Sequence, residues 1–419
     1  MTKGWERKPL GAVADLCLGK MLDQKKNRGE FMPYLANVNV RWGEFVLDDL
    51  RTMRFEPKEL DRYGLKFGDI VMCEGGEPGR CAIWKNQVPN MMIQKALHRI
   101  RPKDNLDYRF LFYNLLHLGQ SNVFDQYFTG STIKHLPGEK LAKVEVVVPP
   151  LSYQRRIASI LSAYDDLIEN NTRRIAILEE MARRIYEEWF VHFRFPGHEQ
   201  VKMVESELGL IPEGWAVESL GNVCSRLQSG GTPSRSNDSY WHEGTVDWYK
   251  TKELWDGFLF NSEEKITELA VSEKKTRVFE AGVILMAIYG SPTVGRFGIT
   301  TRRSACNQAA LGIEPDSERI TQWFLVHTLY SLRQEFNNKA QGAAQQNISK
   351  EKVAETKFVL PSMTTLSGFE SLVSPMWEML LNLQKKNLNL RATRDLLLPK
   401  LISGELDVST LPEPEEEAI

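Results

Sequence analysis

Ile157-Ala158-Ser159-Ile160-Leu161-Ser162-Ala163-Tyr164-Asp165-Asp166-Leu167-Ile168 opens an apolar seam that continues through Asn171, Ile175, Leu178, Ala182, Ile185 and Trp189. Steps of four and three alternate without a break, so Ile157, Leu161, Tyr164 and Ile168 share one face of a helix, and the pattern spans more than four heptads. Pro149-Pro150 blocks a helix before it, Ser152 is a good N-cap, and Pro196-Gly197 is expected to end it. About 38 residues give a rod of roughly 57 Å. The alternation returns in Leu366, Phe369, Val373, Met376, Leu380, Leu383, Asn387, Leu390, Arg394 and Leu397, in register at an offset of 212. Pro375 should kink this second helix or delay its start, and Pro399 should end it. One apolar stripe on a solitary helix is unstable in water. The two helices are therefore expected to pack antiparallel as a coiled coil, burying their stripes on each other, with a domain at either end. Asn171 and Asn387 are polar residues in otherwise apolar seams: they are expected to meet, a device that fixes register at some cost in stability, the alternative being that each faces solvent at a frayed or kinked turn.

The offset extends outward from the helices. Gly4-Trp5 and Leu10-Gly11 are answered by Gly214-Trp215 and Leu220-Gly221 at 210. Gly68-Asp69-Ile70-Val71-Met72 is answered by Gly282-Val283-Ile284-Leu285-Met286 at 214, and Gly79-Arg80 by Gly295-Arg296 at 216. Gly130, Leu136, Lys140 and Pro149 are answered at 212 by Gly342, Ile348, Lys352 and Pro361. A period this long marks a duplicated domain rather than a solenoid. Short apolar runs such as 69–72, 144–148, 283–286 and 357–360 read as strands, and 108–118 and 320–336 as helices. The expected fold is α/β (α+β): a first domain over 1–150, a helical spacer over 151–205, a second domain over 206–361, and a distal helical spacer with an acidic tail over 362–419.

The chain has 419 residues, 42% of them apolar, enough for two or three cored domains. No apolar run approaches a membrane span and no secretory leader opens the chain, so no membrane partner is expected. Five cysteines without CxxC spacing suggest free thiols in a reducing cytoplasm. The net charge of −2 lacks the basic excess of a typical nucleic-acid binder. It is uneven: residues 1–150 hold 23 Lys/Arg against 18 Asp/Glu, and residues 206–361 hold 17 against 19. Composition thus permits a local basic face, or a partner that supplies charge. The sequence shows no phosphate-binding GxxxxGK[ST], no GxGxxG after a strand, no [DN]PP[YF] tetrad and no HExxH. No catalytic residue, metal ligand or cofactor site is therefore expected in this chain.

Three kinds of segment carry binding chemistry. Lys20, Lys25, Lys26 and Arg28 form a basic cluster suited to phosphates, though such a run is more often a solvated surface. Glu74-Gly75-Gly76-Glu77-Pro78-Gly79-Arg80 follows a strand and reads as a hairpin turn, or as a loop approaching a phosphate. Its counterpart, 289–296, holds Tyr289 and ends in Arg296; a salt bridge would explain either arginine as well. Ser131, Thr132, Lys134 and His135 align with Ala343, Ala344, Gln346 and Asn347, and with Gln345 these side chains could read base edges or hold phosphates; a plain polar loop is the alternative.

At these residues the chain resembles the specificity subunit of type I restriction-modification systems, over nearly its whole length. The resemblance rests on Gly19-Lys20-Met21-Leu22 and Tyr34-Leu35-Ala36-Asn37-Val38-Asn39-Val40-Arg41-Trp42 in the first half. It rests also on Ser229-Gly230-Gly231-Thr232-Pro233-Ser234 with Tyr240-Trp241 and Asp247-Trp248 in the second. The helical parts add 149–157, 188–197 and 396–406. Tyr153 stands where the family more often has Glu, and the second helix lacks the usual Gln-Arg pair near its start. The resemblance implies a non-catalytic subunit whose two target-recognition domains each read one half of an interrupted site in double-stranded DNA. It also implies two methyltransferase subunits binding S-adenosylmethionine, and restriction subunits using ATP and Mg. The competing readings are a coiled-coil scaffold with no DNA role, and a nuclease with dispersed carboxylates.

Overall fold

The computed structural model describes residues 5–23, 27–290, 293–340 and 347–414. It divides into two units, Met1–Glu169 with Leu388–Ile419, and Asn170–Asn387. Each unit thus holds one copy of the duplicated domain and a part of both long helices.

In the first unit the main sheet is antiparallel, in the order Ala14–Leu18, Leu97–Pro102, Ile70–Cys73, Cys81–Ile83. A smaller sheet joins Arg51–Phe55, Glu30–Leu35 and Met92–Ile93. The helix Tyr108–Gln120 is capped by Asp107, whose side chain accepts from the amides of Arg109 and Phe110. It buries Phe110, Leu111 and Leu115 in one core with Ile70, Met72 and Ile100. The strand Glu6–Pro9 pairs with Glu145–Val148 and so brings the start of the domain to its last strand.

The second unit repeats the plan. Cys224–Ser229, Ala310–Pro315, Ile284–Ala287, Phe297–Thr300 and Gly257–Leu259 form the main sheet. Glu264–Ile266, Val246–Tyr249, Ser304–Cys306 and Val278–Phe279 form the smaller one. The helix Gln322–Ala340 covers the core. Ala216–Ser219 pairs with Lys357–Leu360, the equivalent of the Glu6–Pro9 pairing.

The first long helix is Leu151–Tyr186, continued by a π turn over Glu187–Val191. It starts one residue before Ser152, with the Pro150 carbonyl accepting from the amides of Tyr153 and Gln154, so Ser152 is not its cap. The second long helix is Met363–Ser403 and runs through both Pro375 and Pro399. The expectation of a delayed start or an early end is thus corrected. Pro375 and Ser371, whose carbonyl loses its donor, are both exposed, so water can satisfy that group. Phe369, Val373, Trp377 and Leu380 are buried on either side of the proline, and their packing holds the helix together.

All seam positions are buried or half-buried, including Ile168, Leu178, Leu383 and Leu390. In each unit the two helices run antiparallel. In the first, Ile157 and Leu161 share a core with Leu398 and Leu401, while Asp165 takes a hydrogen bond from Arg394 and another of 2.6 Å from the Tyr113 hydroxyl. In the second, Ile175 and Ile185 pack on the core that holds Val373 and Leu380, and Trp189 lies 6.1 Å from the Phe369 ring.

Also in the second unit, Asn171 Nδ2 donates to Asn387 Oδ1 at 2.9 Å, and Asn387 Nδ2 donates to Thr172 Oγ1 at 3.3 Å. Both asparagines are buried. Asn171→Leu alone removes the Asn171 donor to the buried Asn387 Oδ1 and should cost about 1–3 kcal/mol. Asn171→Leu combined with Asn387→Leu removes both polar groups and should melt above the wild type. Thermal melts of the single and double variants check this; a double variant less stable than the single would refute it.

Candidate nucleic-acid interface

The sheet register brings the singled-out segments of each copy to one end of its main sheet. In the second unit Ser229 pairs with Leu311, Ala287 with Ala310 and Met286 with Phe297. Ser229-Gly230-Gly231, Asn307-Gln308-Ala309, Ile288-Tyr289 and Arg296 therefore emerge together. In the first unit Leu18 pairs with His98, Cys73 with Leu97 and Met72 with Cys81. There Gly19-Lys20, Gln94-Lys95-Ala96, Glu74-Gly75 and Arg80 share the corresponding end.

The glycine-rich loop and the polar segment before the last strand meet in both units, in the same way. The Leu136 amide donates to the Glu74 carbonyl at 2.8 Å, and the Ile348 amide donates to the Ile288 carbonyl at 2.9 Å. Gly75 bridges His135, and Tyr289 bridges Asn347. Side chains reinforce each junction: His135 Nδ1 lies 3.1 Å from Glu74 Oε2, and Asn347 Oδ1 accepts from the Gly290 amide at 3.3 Å. Behind the first junction His98 is buried, with Nε2 2.8 Å from the Leu136 carbonyl. Burial pushes its pKa down, which favours a neutral ring donating from Nε2.

The individual candidates divide. Ser131, Thr132 and Lys134 are exposed beyond the His135 junction, and Arg28 is exposed. Tyr289 is exposed, and the Arg296 guanidinium sits 4.9 Å from the ring centre of Trp255, itself 70% exposed. Two candidates are engaged within the protein, and for Lys20 the reading as a loop cation is corrected. Lys20 is not a mobile surface cation: it is buried, with Nζ 2.6 Å from Glu59 Oε2 and 2.9 Å from the Arg54 carbonyl. Burying an ammonium requires such partners. Arg80 is likewise engaged, bonding Glu77 Oε2 at 2.6 Å and the Asn37 carbonyl at 2.9 Å, so it braces the loop. Lys25, Lys26, Gln345 and Gln346 lie outside the described residues.

Sequence reading passed over Gln94 and Gln308, which recur at the offset of 214 on the same sheet ends. Gln94 Oε1 accepts from the Ala96 amide at 3.1 Å, and Gln308 Oε1 accepts from the Thr232 hydroxyl. The recurrence was the available signal. Among the described residues no group of three or more His, Cys, Asp or Glu could hold a metal ion, and no helix is long and apolar enough to cross a membrane.

Two such sheet ends stand on duplicated domains, each in a unit that also holds part of a pair of long helices. Residues 2–180 and 212–366 each match the type I restriction modification DNA specificity domain, and the chain belongs to that family as a specificity subunit. It is 27% identical over 417 residues to the MjaIX type I restriction enzyme specificity subunit of Methanocaldococcus jannaschii, covering 98% of this chain and 95% of that one. It is 23% identical to the HindI specificity subunit of Haemophilus influenzae, covering 93% and 98%. The crystal structure of the M. genitalium type I S subunit has the same fold, with a TM-score of 0.59 at 18% identity, over 96% of this chain and 97% of that one.

Proposed function

We propose that this chain reads a bipartite site in double-stranded DNA, each unit contacting one half, and that it has no catalysis of its own. The observation that carries this is the repeated junction: Gly75 on His135 in one copy, Tyr289 on Asn347 in the other. Equivalent loops held by equivalent bonds, with different side chains at the tips, suit one architecture reading two different half-sites. Amide, hydroxyl and basic side chains at such tips can contact base edges and phosphates.

The helix pair would set the spacing between the half-sites. A slip of one heptad would change it by roughly 10 Å, about three base pairs. Methyltransferase subunits would dock on the helices, whose outer positions expose Leu167, Ile177, Met181, Leu372, Met379 and Leu396. S-adenosylmethionine would be bound by those subunits, and ATP and Mg by restriction subunits, all in the cytoplasm.

The test is a map of methylated adenines in cells making this chain with its methyltransferase. An interrupted motif is expected. Tyr289→Ala with Asn347→Ala should relax one half-site by about 1–3 kcal/mol of discrimination and leave the other unchanged. Methylation without an interrupted motif, or equal relaxation of both halves, would contradict the reading. A scaffold without a DNA role would give an assembled complex with no salt-dependent DNA binding.

A further inference from the structure

We propose that a groove on the second unit, walled by Gln228, Ser229, Lys274, Lys275 and Arg277, binds the phosphodiester backbone of double-stranded DNA beside the reading loops. This rests on the DNA-reading role proposed above and adds an anchoring surface separate from the loops.

Two glycines make the groove. A Cβ on Gly230 would come within 2.1 Å of the Cys306 carbonyl oxygen, and one on Gly231 within 3.1 Å of the Lys275 carbonyl oxygen. The approach at Gly230 requires glycine, and a side chain at Gly231 would press on the Lys275–Thr276 strip. The Gly231 carbonyl then accepts from the Thr276 hydroxyl and from Trp248 Nε1, both at 2.9 Å. This pins the segment carrying Lys274, Lys275 and Arg277 against the end of the sheet.

The first unit shows the same backbone with the groove filled. The amides of Gly19 and Lys20 donate to Leu97 and Ile93 as those of Gly230 and Gly231 donate to Ala310 and Cys306. Where the second unit has Gly231, the first has Lys20, whose buried side chain bonds Glu59. At the offset of 214 from Lys274, Lys275, Thr276 and Arg277 stand Leu60, Asp61, Arg62 and Tyr63, which lack that concentration of charge.

The cations of the groove are available. Lys274, Lys275 and Arg277 are exposed. Among the described residues, neither Lys274 nor Arg277 has a carboxylate within ion-pair distance. Glu273 lies 3.7 Å from Lys275 and is bonded by the Tyr240 hydroxyl at 2.6 Å. The groove adjoins Ser229, at the sheet end that carries Tyr289 and Arg296. Lys275 keeps Glu273 as a partner, while Lys274 and Arg277 beside the proposed reading loops are placed to neutralise phosphates and release their counterions.

The experiment is equilibrium binding by the complex of this chain with its methyltransferase, across a NaCl series. One duplex carries the site found by methylation mapping and one a shuffled sequence. The variant Lys274→Ala, Lys275→Ala, Arg277→Ala should weaken binding to both duplexes by the same factor, about tenfold or more. The plot of log K against log salt should become shallower by about 0.9 for each phosphate no longer neutralised. Lys274→Arg, Lys275→Arg, Arg277→Lys should restore both. Unchanged affinity and slope in the alanine variant, or a loss confined to the specific duplex, would overturn the groove while leaving the reading role in place. If the unaltered complex binds neither duplex, the reading role falls and the groove with it.

Discussion

Phe369→Ala should lower the stability of the second unit by about 3–5 kcal/mol. The ring is fully buried. It meets Phe190 edge-on with centroids 5.0 Å apart, and lies within 6.2 Å of Trp189, Tyr186 and His327. Those partners come from the end of the first long helix and from the helix Gln322–Ala340, so truncation opens a cavity among three elements at once. Pro375 follows one and a half turns later, where the helix has lost a backbone bond and depends on side-chain packing. Chemical denaturation followed by tryptophan fluorescence measures the effect. A loss below about 1 kcal/mol would mean that the cluster closes over the gap and that Phe369 does not hold the helix in place.

His327 should make the same unit acid-sensitive well above the carboxylate range. Its ring stacks on Tyr186 at 5.4 Å, and its Nε2 is buried without a partner among the described residues. Burial lowers its pKa from 6.5 to about 4. Between those values the unfolded chain binds a proton that the folded chain does not. Stability therefore rises with pH across this window, and is lost as pH falls from about 6.5 towards 4. The total is about 3 kcal/mol, since each pH unit is worth about 1.36 kcal/mol. His327→Phe should flatten that part of the profile. Denaturation midpoints of the two proteins between pH 7 and pH 4.5 give the comparison, and parallel profiles would rule out this role for His327.

What could be read from the sequence was periodic or repeated. The seam from Ile157 to Trp189 was legible because a helix repeats its face every three or four residues, and burial follows that face. The strand Lys357–Leu360 and the helix Tyr108–Gln120 stood out for similar reasons. The prolines misled because the local loss of a hydrogen bond was weighed without the buried neighbours that outweigh it. Lys20 misled differently. For Lys20 the partner, Glu59, is 39 residues away and absent from the local pattern, whereas Glu77 stands three residues before Arg80 and the salt bridge weighed for Arg80 is present. Asn347 carries both aspects, since its Oδ1 braces the loop that its residue helps to present. Gln94 and Gln308 were within reach, because the offset that revealed the duplication also aligns them.

The division of the chain into units has a temporal side. The second unit is one continuous stretch, Asn170–Asn387, whereas the first combines Met1–Glu169 with Leu388–Ile419. Leu398, Leu401, Ile402 and Val408 belong to the core of the first unit alongside Trp5 and Leu10. During synthesis, then, the unit made second has all of its residues first. The unit begun at the N-terminus waits with part of its core uncovered until the last helix leaves the ribosome. Exposed apolar surface of that kind invites misassembly, so the first domain is the one whose folding is most vulnerable to a stalled or truncated chain.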